Sequence, residues 1–319
     1  MKILKKILLV VLLIITILFL YLKSQISDVK GNKTNFAKSE RIKEDLDSIL
    51  NTEKPRNSEN LTALNKVADF ISYKFKLVSD SVTEQKFMVG NKEYKNIICS
   101  INTNKTERII IGAHYDVCGD QNGADDNASG VAGLLELARL LKDKKMNYRI
   151  DFVAYTLEEP PYFATEKMGS FIHAKSLFDN KIPVRGMISI EMIGYFSEKE
   201  NSQNYPIPFL SSIYGNKGDF ITIVQKFNAG EFAKSLSKEI LNNPSIRTIV
   251  FKGPKSLPGI DFSDHRNYWH FGYSSIMITN TAFYRNNNYH EPTDNVETIN
   301  FEKASLVINQ LYEGLLKLN

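Results

Sequence analysis

The 319-residue chain contains two cysteines, Cys99 and Cys118. Neither falls in a CxxC pair, which leaves out a thiolate metal site of the common kind. Both are expected to be free thiols, with a Cys99–Cys118 bridge as the alternative. Cys118 has no histidine set aside to activate it, so it reads as a bystander rather than a nucleophile. Excess charge of one sign is equally scarce in the body of the chain. The net charge is +4, but residues 1–33 hold six lysines against one aspartate, leaving 34 basic and 35 acidic residues elsewhere. A near-neutral body argues against nucleic acid as a partner, since that would need a basic face on the domain itself. Internal repeats and low-complexity tracts are absent. The charged fraction of 24% and hydrophobic fraction of 43% are those of an ordinary folded protein.

Residues 7–22, ILLVVLLIITILFLYL, form an uncharged apolar run behind Lys2, Lys5 and Lys6. A helix of these 16 residues is roughly 24 Å long, a little short of a ~30 Å hydrocarbon core. Ile3, Leu4 and snorkelling lysines extend it. The following KSQISDVKG lacks a small-x-small cleavage site and a lipidation cysteine. A retained signal anchor is therefore favoured over a cleaved signal peptide for residues 1–23. The lysines would face the cytoplasm and the main domain the periplasmic or extracellular side, or the domain would be secreted if the segment were cleaved. Residues 24–40 are polar and read as a linker, and 41–319 as one domain.

In that domain strand-like runs end at residues 89, 101, 114, 157, 193, 225, 251 and 279. They alternate with helical patterns near 41–51, 61–77, 127–143, 166–178, 229–242 and 300–317. Near-continuous apolar strands call for a sheet covered on both faces, an α/β fold of three layers, α/β/α, around a mixed, mostly parallel sheet. In such sheets ligands sit beyond the C-terminal strand ends.

The polar groups gather there. RIIIGA ends in His114-Tyr115-Asp116, RIDFVAYTL in Glu158-Glu159, GMISI in Glu191, and SIMIT leads to a loop reaching His290; GADDNASG carries Asp125 and Asp126 before a helix. Alone, Asp125-Asp126-Asn127 is an N-terminal helix turn and Glu158-Glu159 a solvated loop. Their joint appearance at successive strand ends points to two zinc ions held by nitrogen and oxygen ligands, sharing one aspartate and one water.

These segments, together with Glu191-Met192-Ile193-Gly194-Tyr195, Ser263-Asp264-His265 and Tyr289-His290, resemble the co-catalytic zinc aminopeptidases. That is metallopeptidase family twenty-eight, with leucyl aminopeptidases, glutamate carboxypeptidase and glutaminyl cyclases among its members. The resemblance spans roughly residues 60–317. It implies a zinc-exopeptidase fold, two zinc ions per chain and peptide substrates cut at the N-terminus. It implies that Asp125 bridges the metals, Glu159 and His290 complete one site, and His114 and Glu191 the other. Glu158 would be the general base for a metal-bridging water, and Asp116 would hold His114 by a hydrogen bond. Glu191 departs from the aspartate usual in the family, and its longer arm bears on the second metal. The resemblance also implies an unusual cis bond between Asp125 and Asp126. The alternatives are a one-zinc glutaminyl cyclase-like acyltransferase and a non-catalytic domain on the same scaffold.

Of the other histidines, His173 and His270 read as packing or surface residues, while His265 stands open between a site role and a structural one. Arg285 is open between a substrate contact and a loop anchor, and Asp294 between orienting His290 and a helix-start turn. The aromatic-rich segment 204–220 is expected to wall the pocket.

Overall fold

Alternation along the strands decides the layers. In β4 (Arg108–His114), Ile109, Ile111 and Ala113 enter one apolar cluster while Ile110 enters another on the opposite face. In β6 (Val184–Glu191), Ile188 and Ile190 join the first and Met187 the second. Successive side chains of a strand point to opposite faces, so His114 and Glu191 leave their strand ends on the Ile110–Met187 side.

The computed structural model describes residues 2–29, 31 and 34–318. Its strands form one nine-stranded sheet. Beside β4 and β6 it contains β1 (Ile26–Ser27), β2 (Val82–Val89), β3 (Lys92–Ile101), β5 (Arg149–Tyr155), β7 (Ile221–Lys226), β8 (Thr248–Gly253) and β9 (Ser275–Thr279), in the order β1-β8-β7-β9-β6-β4-β5-β3-β2. The central block β5-β4-β6-β9 is parallel, with His114 opposite Tyr155 and Glu191 opposite Thr279. Antiparallel pairings flank it on both sides. The three layers expected from the sequence are present: the larger cluster lies under α2 (Ser39–Leu50), α3 (Leu61–Lys76), α4 (Gly130–Leu141), α7 (Glu231–Asn242) and α9 (Phe301–Lys317). The other face is covered by α5 (Gly169–Asp179) and α8 (His265–His270).

The apolar run at the start is α1 (Lys2–Ser24). Its stretch Ile3–Ser24 is long and apolar enough to cross a membrane, and none of it is buried. At 22 residues it is about 33 Å long, so the flanking residues make up the length that the apolar core lacked.

The stretch read as a linker contacts the domain near both of its ends; residues 30, 32 and 33 lie outside the described residues. β1 adds to the edge of β8, pairing Ile26 with Ile249 and Ser27 with Thr248. Asp28 meets Arg247 at 3.2 Å. Further on, the Phe36 N–H donates to Asn309 Oδ1 at 2.8 Å, and Lys38 N–H to the buried Glu136 at 2.8 Å. A two-residue strand carries no periodicity, which is why composition alone reads this stretch as loose.

One buried cation has no counterpart in the sequence reading. Arg56 donates from Nε to Tyr115 O (2.8 Å), from Nη2 to Gly123 O (2.7 Å) and from Nη1 to Asn122 O. It staples the loop after β4 to the loop that opens α4. Gly123 has φ +63°, and a Cβ there would lie 2.3 Å from Asp126 O. Only glycine permits this turn.

Candidate metal centre

Three strand-end segments and two loops converge on one cluster. The Asp126 carboxylate is its centre. Asp126 Oδ1 lies 3.5 Å from His114 Nε2, and Asp126 Oδ2 lies 3.2 Å from His290 Nε2. On the first side, Glu191 Oε2 is 3.3 Å from His114 Nε2. On the second, Glu159 Oε2 is 3.2 Å from His290 Nε2. Glu158 Oε2 stands 3.9 Å from His114 Nε2. Each histidine is thus matched with one carboxylate of its own and one oxygen of Asp126.

This geometry corrects the expectation for Asp125. Its Oδ1 accepts from the N–H groups of Gly194 (2.8 Å) and Tyr195 (3.2 Å) and from Ser129 Oγ (3.2 Å). Its Oδ2 accepts from the amides of Asn280 (2.8 Å) and Asn286 (2.9 Å). With five donors on two oxygens, Asp125 is a tether between the α4 loop, the loop after β6 and the loop after β9. The cis bond is likewise one residue further on than expected, between Asp126 and Asn127.

Asp294 settles as the anchor of this turn: its carboxylate accepts from the N–H of Asp125 (2.9 Å) and of Asp126 (3.0 Å). Asp116 has a different task from the one expected. Its Oδ1 is 3.7 Å from His114 Nδ1, beyond hydrogen-bond reach. Its two oxygens instead accept from Glu158 N–H (3.2 Å) and Glu159 N–H (3.1 Å), fixing the turn that presents both glutamates. The position nearest His114 Nδ1 is the Asp116 carbonyl, at 3.3 Å. Glu191 is held by Ser263 Oγ at 2.7 Å, which gives Ser263-Asp264-His265 its link to the cluster. His265 itself is structural: its Nε2 donates to Ile260 O at 2.7 Å, and burial pulls its pKa down to about 3. His173 packs against Tyr268 at 2.6 Å, buried, with its pKa lowered by burial to about 4. Arg285 is a loop anchor, donating to Gln203 at 2.7 Å between the rings of Phe220 and Phe196.

The backbone is strained where these groups emerge. Leu157 (φ +59°) precedes Glu158, Met192 (φ +51°) follows Glu191, and His290 has φ +58°. Non-glycine residues in this region cost on the order of 1–3 kcal/mol each and gather at functional sites.

The electrostatics are those of a site that demands positive charge. Burial alone lowers a histidine, yet Glu191 and Glu158 overcome it and hold His114 well above its ordinary value. Asp126 and Glu159 in the same way raise His290 to about 10 against its burial. Burial, with Asp126 beside it, lifts Glu159 to about 7, and burial lifts Glu158 well above the usual range. Asp264, buried behind Glu191, is raised by burial to about 7; the sequence marked it only as part of the Ser263-Asp264-His265 triplet, with no role assigned. Asp126 Oδ2, Glu159 Oε1 and His290 Nε2 are shut off from solvent and take no properly aligned hydrogen bond. Buried polar atoms are almost always partnered, so this trio fits cation ligation. Cys118 also lies close, its sulfur within 4.8 Å of ligand atoms of Glu159 and His290. Among the described residues both cysteines are free, and Cys99 is buried far from the cluster's loops in β3.

Beside the cluster opens an apolar recess of about 200 Å³, bounded by Asp126, Glu158, Glu159, Glu191 and His290 at one end. Its walls include Phe163, Phe251, Phe262 and Met277, together with Tyr205, Tyr214 and Phe220 from the aromatic segment.

The profile of peptidase family M28 matches residues 96–312, so the chain belongs to peptidase family M28, a class of metal-dependent hydrolases. A protein of Escherichia coli K12 called "Uncharacterized protein YfbL" is 40% identical over 281 residues, 86% of each chain. "Leucine aminopeptidase 1" of Trichophyton rubrum is 25% identical over 68% of this chain and 57% of its own length. The chain thus spans little more than half of that relative. In fold it is similar to LapB of Legionella pneumophila (TM-score 0.68, 20% identity, 89% of this chain and 72% of that one). It is also similar to a glutaminyl cyclase of Porphyromonas gingivalis (TM-score 0.66, 19% identity, 90% of this chain and 100% of that one).

Proposed function

We propose that the chain is a two-zinc aminopeptidase anchored in a membrane, with its catalytic domain outside the cytoplasm. The observation that carries the two-metal reading is the Asp126 carboxylate, whose two oxygens each face one histidine. In this reading His114 and Glu191 hold one zinc, His290 and Glu159 the other, and Asp126 is shared. Zinc bound there supplies a Lewis acid and lowers the pKa of a water towards neutrality. Glu158, free of the ligand set and oriented by Asp116, takes the proton from the attacking water and delivers it to the leaving amine.

Action at the N-terminus is supported by charge. The recess is rimmed by Glu158, Glu159 and Glu191, and no Lys or Arg is among its described lining residues. A carboxypeptidase needs such a cation for the terminal carboxylate, whereas Glu158, which is outside the ligand set, is left to meet a substrate's α-ammonium. The aromatic walls suit a large apolar first side chain. Retention of α1 is supported by its continuation into the fold, because Leu22 and Ile26 pack on a buried cluster and β1 joins the sheet. Lys5 and Lys6 then lie on the cytoplasmic side.

The test is release of p-nitroaniline from leucyl- and phenylalanyl-p-nitroanilide. Chelation is expected to abolish it and zinc to restore it. Zinc at 1,000 times its dissociation constant is expected to stabilise the fold by about 4 kcal/mol per occupied site, read as a higher melting temperature. Turnover unaffected by chelation contradicts the proposal.

A further inference from the structure

Next to α1, the domain carries a second apolar feature. The segment Ile207–Tyr214 includes a 3-10 turn, Pro208–Leu210, and α6 (Ser211–Tyr214). Leu210, Ile213 and Tyr214 form a buried cluster against which Leu22 and Ile26 pack. Lys23 Nζ donates to Ile213 O at 2.9 Å. Leu22 is the last residue of the uncharged run and Lys23 ends it, so these contacts set the segment at the depth where hydrocarbon gives way to headgroups. At that depth Ile207 and Phe209 turn outward, 48% and 64% exposed. Single exposed apolar side chains are ordinary on a soluble surface. Two of them beside the end of an apolar helix, just before a leucine, Leu210, whose cluster packs with that helix, are not scattered.

We propose that Ile207 and Phe209 form a second membrane contact, inserted into the headgroup and upper acyl region of the bilayer that α1 crosses. This rests on the reading of α1 as a membrane span. The partner is phospholipid. Amphipathic aromatics favour this layer, and the half-buried Tyr205 stands just before the segment, its ring 6.0 Å from that of the buried Tyr214. Tyr205, Pro206 and Tyr214 also wall the recess. The contact therefore fixes the recess at the membrane surface, where it takes peptide N-termini presented close to the bilayer.

The full chain in lipid nanodiscs provides the test. Trp269 is the one native tryptophan and is buried at 3% exposure, which gives a low background. Phe209→Trp and, as a second reporter, Ile207→Trp are expected to lose emission when the lipids carry bromine near the headgroup. Wild type is expected to change little. Leu13→Trp, in the middle of α1, serves as the reference and is expected to be quenched by bromine deep in the acyl chain. Quenching at position 13 with none at 207 or 209 overturns the membrane contact and leaves the anchor standing. No quenching at position 13 overturns the anchor, and the contact with it.

Discussion

Glu158→Gln is expected to lower turnover of aminoacyl-p-nitroanilides by roughly 10²–10⁴-fold, the range of a positioned general base, while zinc binding stays intact. The glutamine keeps the shape of the side chain and the Asp116 bond to the backbone N–H, but accepts no proton. A second readout separates this role from a structural one. Burial first, then Glu159 and Glu191, raise the Glu158 pKa well above its unfolded value despite His114. An acid raised in the folded state contributes stability at low pH and loses it as pH rises above the unfolded glutamate value. The metal-free variant, with a neutral side chain there, is therefore expected to melt higher than metal-free wild type at neutral pH. The difference should close as pH falls below the ordinary glutamate range. Wild-type turnover in the variant removes Glu158 from the mechanism.

Asp126→Asn and Asp125→Asn are expected to fail in opposite ways. The first removes the charge that both histidines face, so zinc content and activity collapse while the hydrogen-bond frame of the loop survives. The second replaces an oxygen that accepts hydrogen bonds by an NH2 group opposed to donors from Gly194, Tyr195, Asn280 or Asn286. Loss of one charged hydrogen bond in a buried site costs about 1.5–3 kcal/mol, and Asp125 loses at least two. Denaturant midpoints and zinc analysis on both variants distinguish the roles. A stable, zinc-free Asp125→Asn beside a zinc-loaded Asp126→Asn restores the assignment expected from the sequence.

The sequence carried most of the sheet and the strand-end character of the site, because both follow from local pattern. Apolar runs such as RIIIGA and GMISI are visible without knowledge of their partners, and so are the polar residues that stop them. Neighbouring aspartates are a different problem. Asp125 and Asp126 share a loop, and what separates them is backbone direction and distant partners. Asp126 turns at φ −104°, ψ 91° towards the histidines, while Asp125 is taken by Asn280 and Asn286, more than 150 residues away. Asp116 was assigned to His114 by the family resemblance, but its hydrogen bonds depend on how the turn after β5 folds back. Arg56 and Asp264 matter through burial, and burial of a lone charged residue has no periodic signature. The contacts of the described part of 24–40 are hidden from the sequence for a related reason: they are made with Asn309, Glu136 and the β8 edge, none of them local.

The measurement that reaches the central claim most directly is titration of the metal-free full chain with zinc, following bound metal and both candidate reactions together. Two equivalents are expected to bind, with peptide-bond hydrolysis rising as the second is added and no cyclisation of N-terminal glutamine. Saturation at one equivalent, with cyclisation and no hydrolysis, contradicts the account.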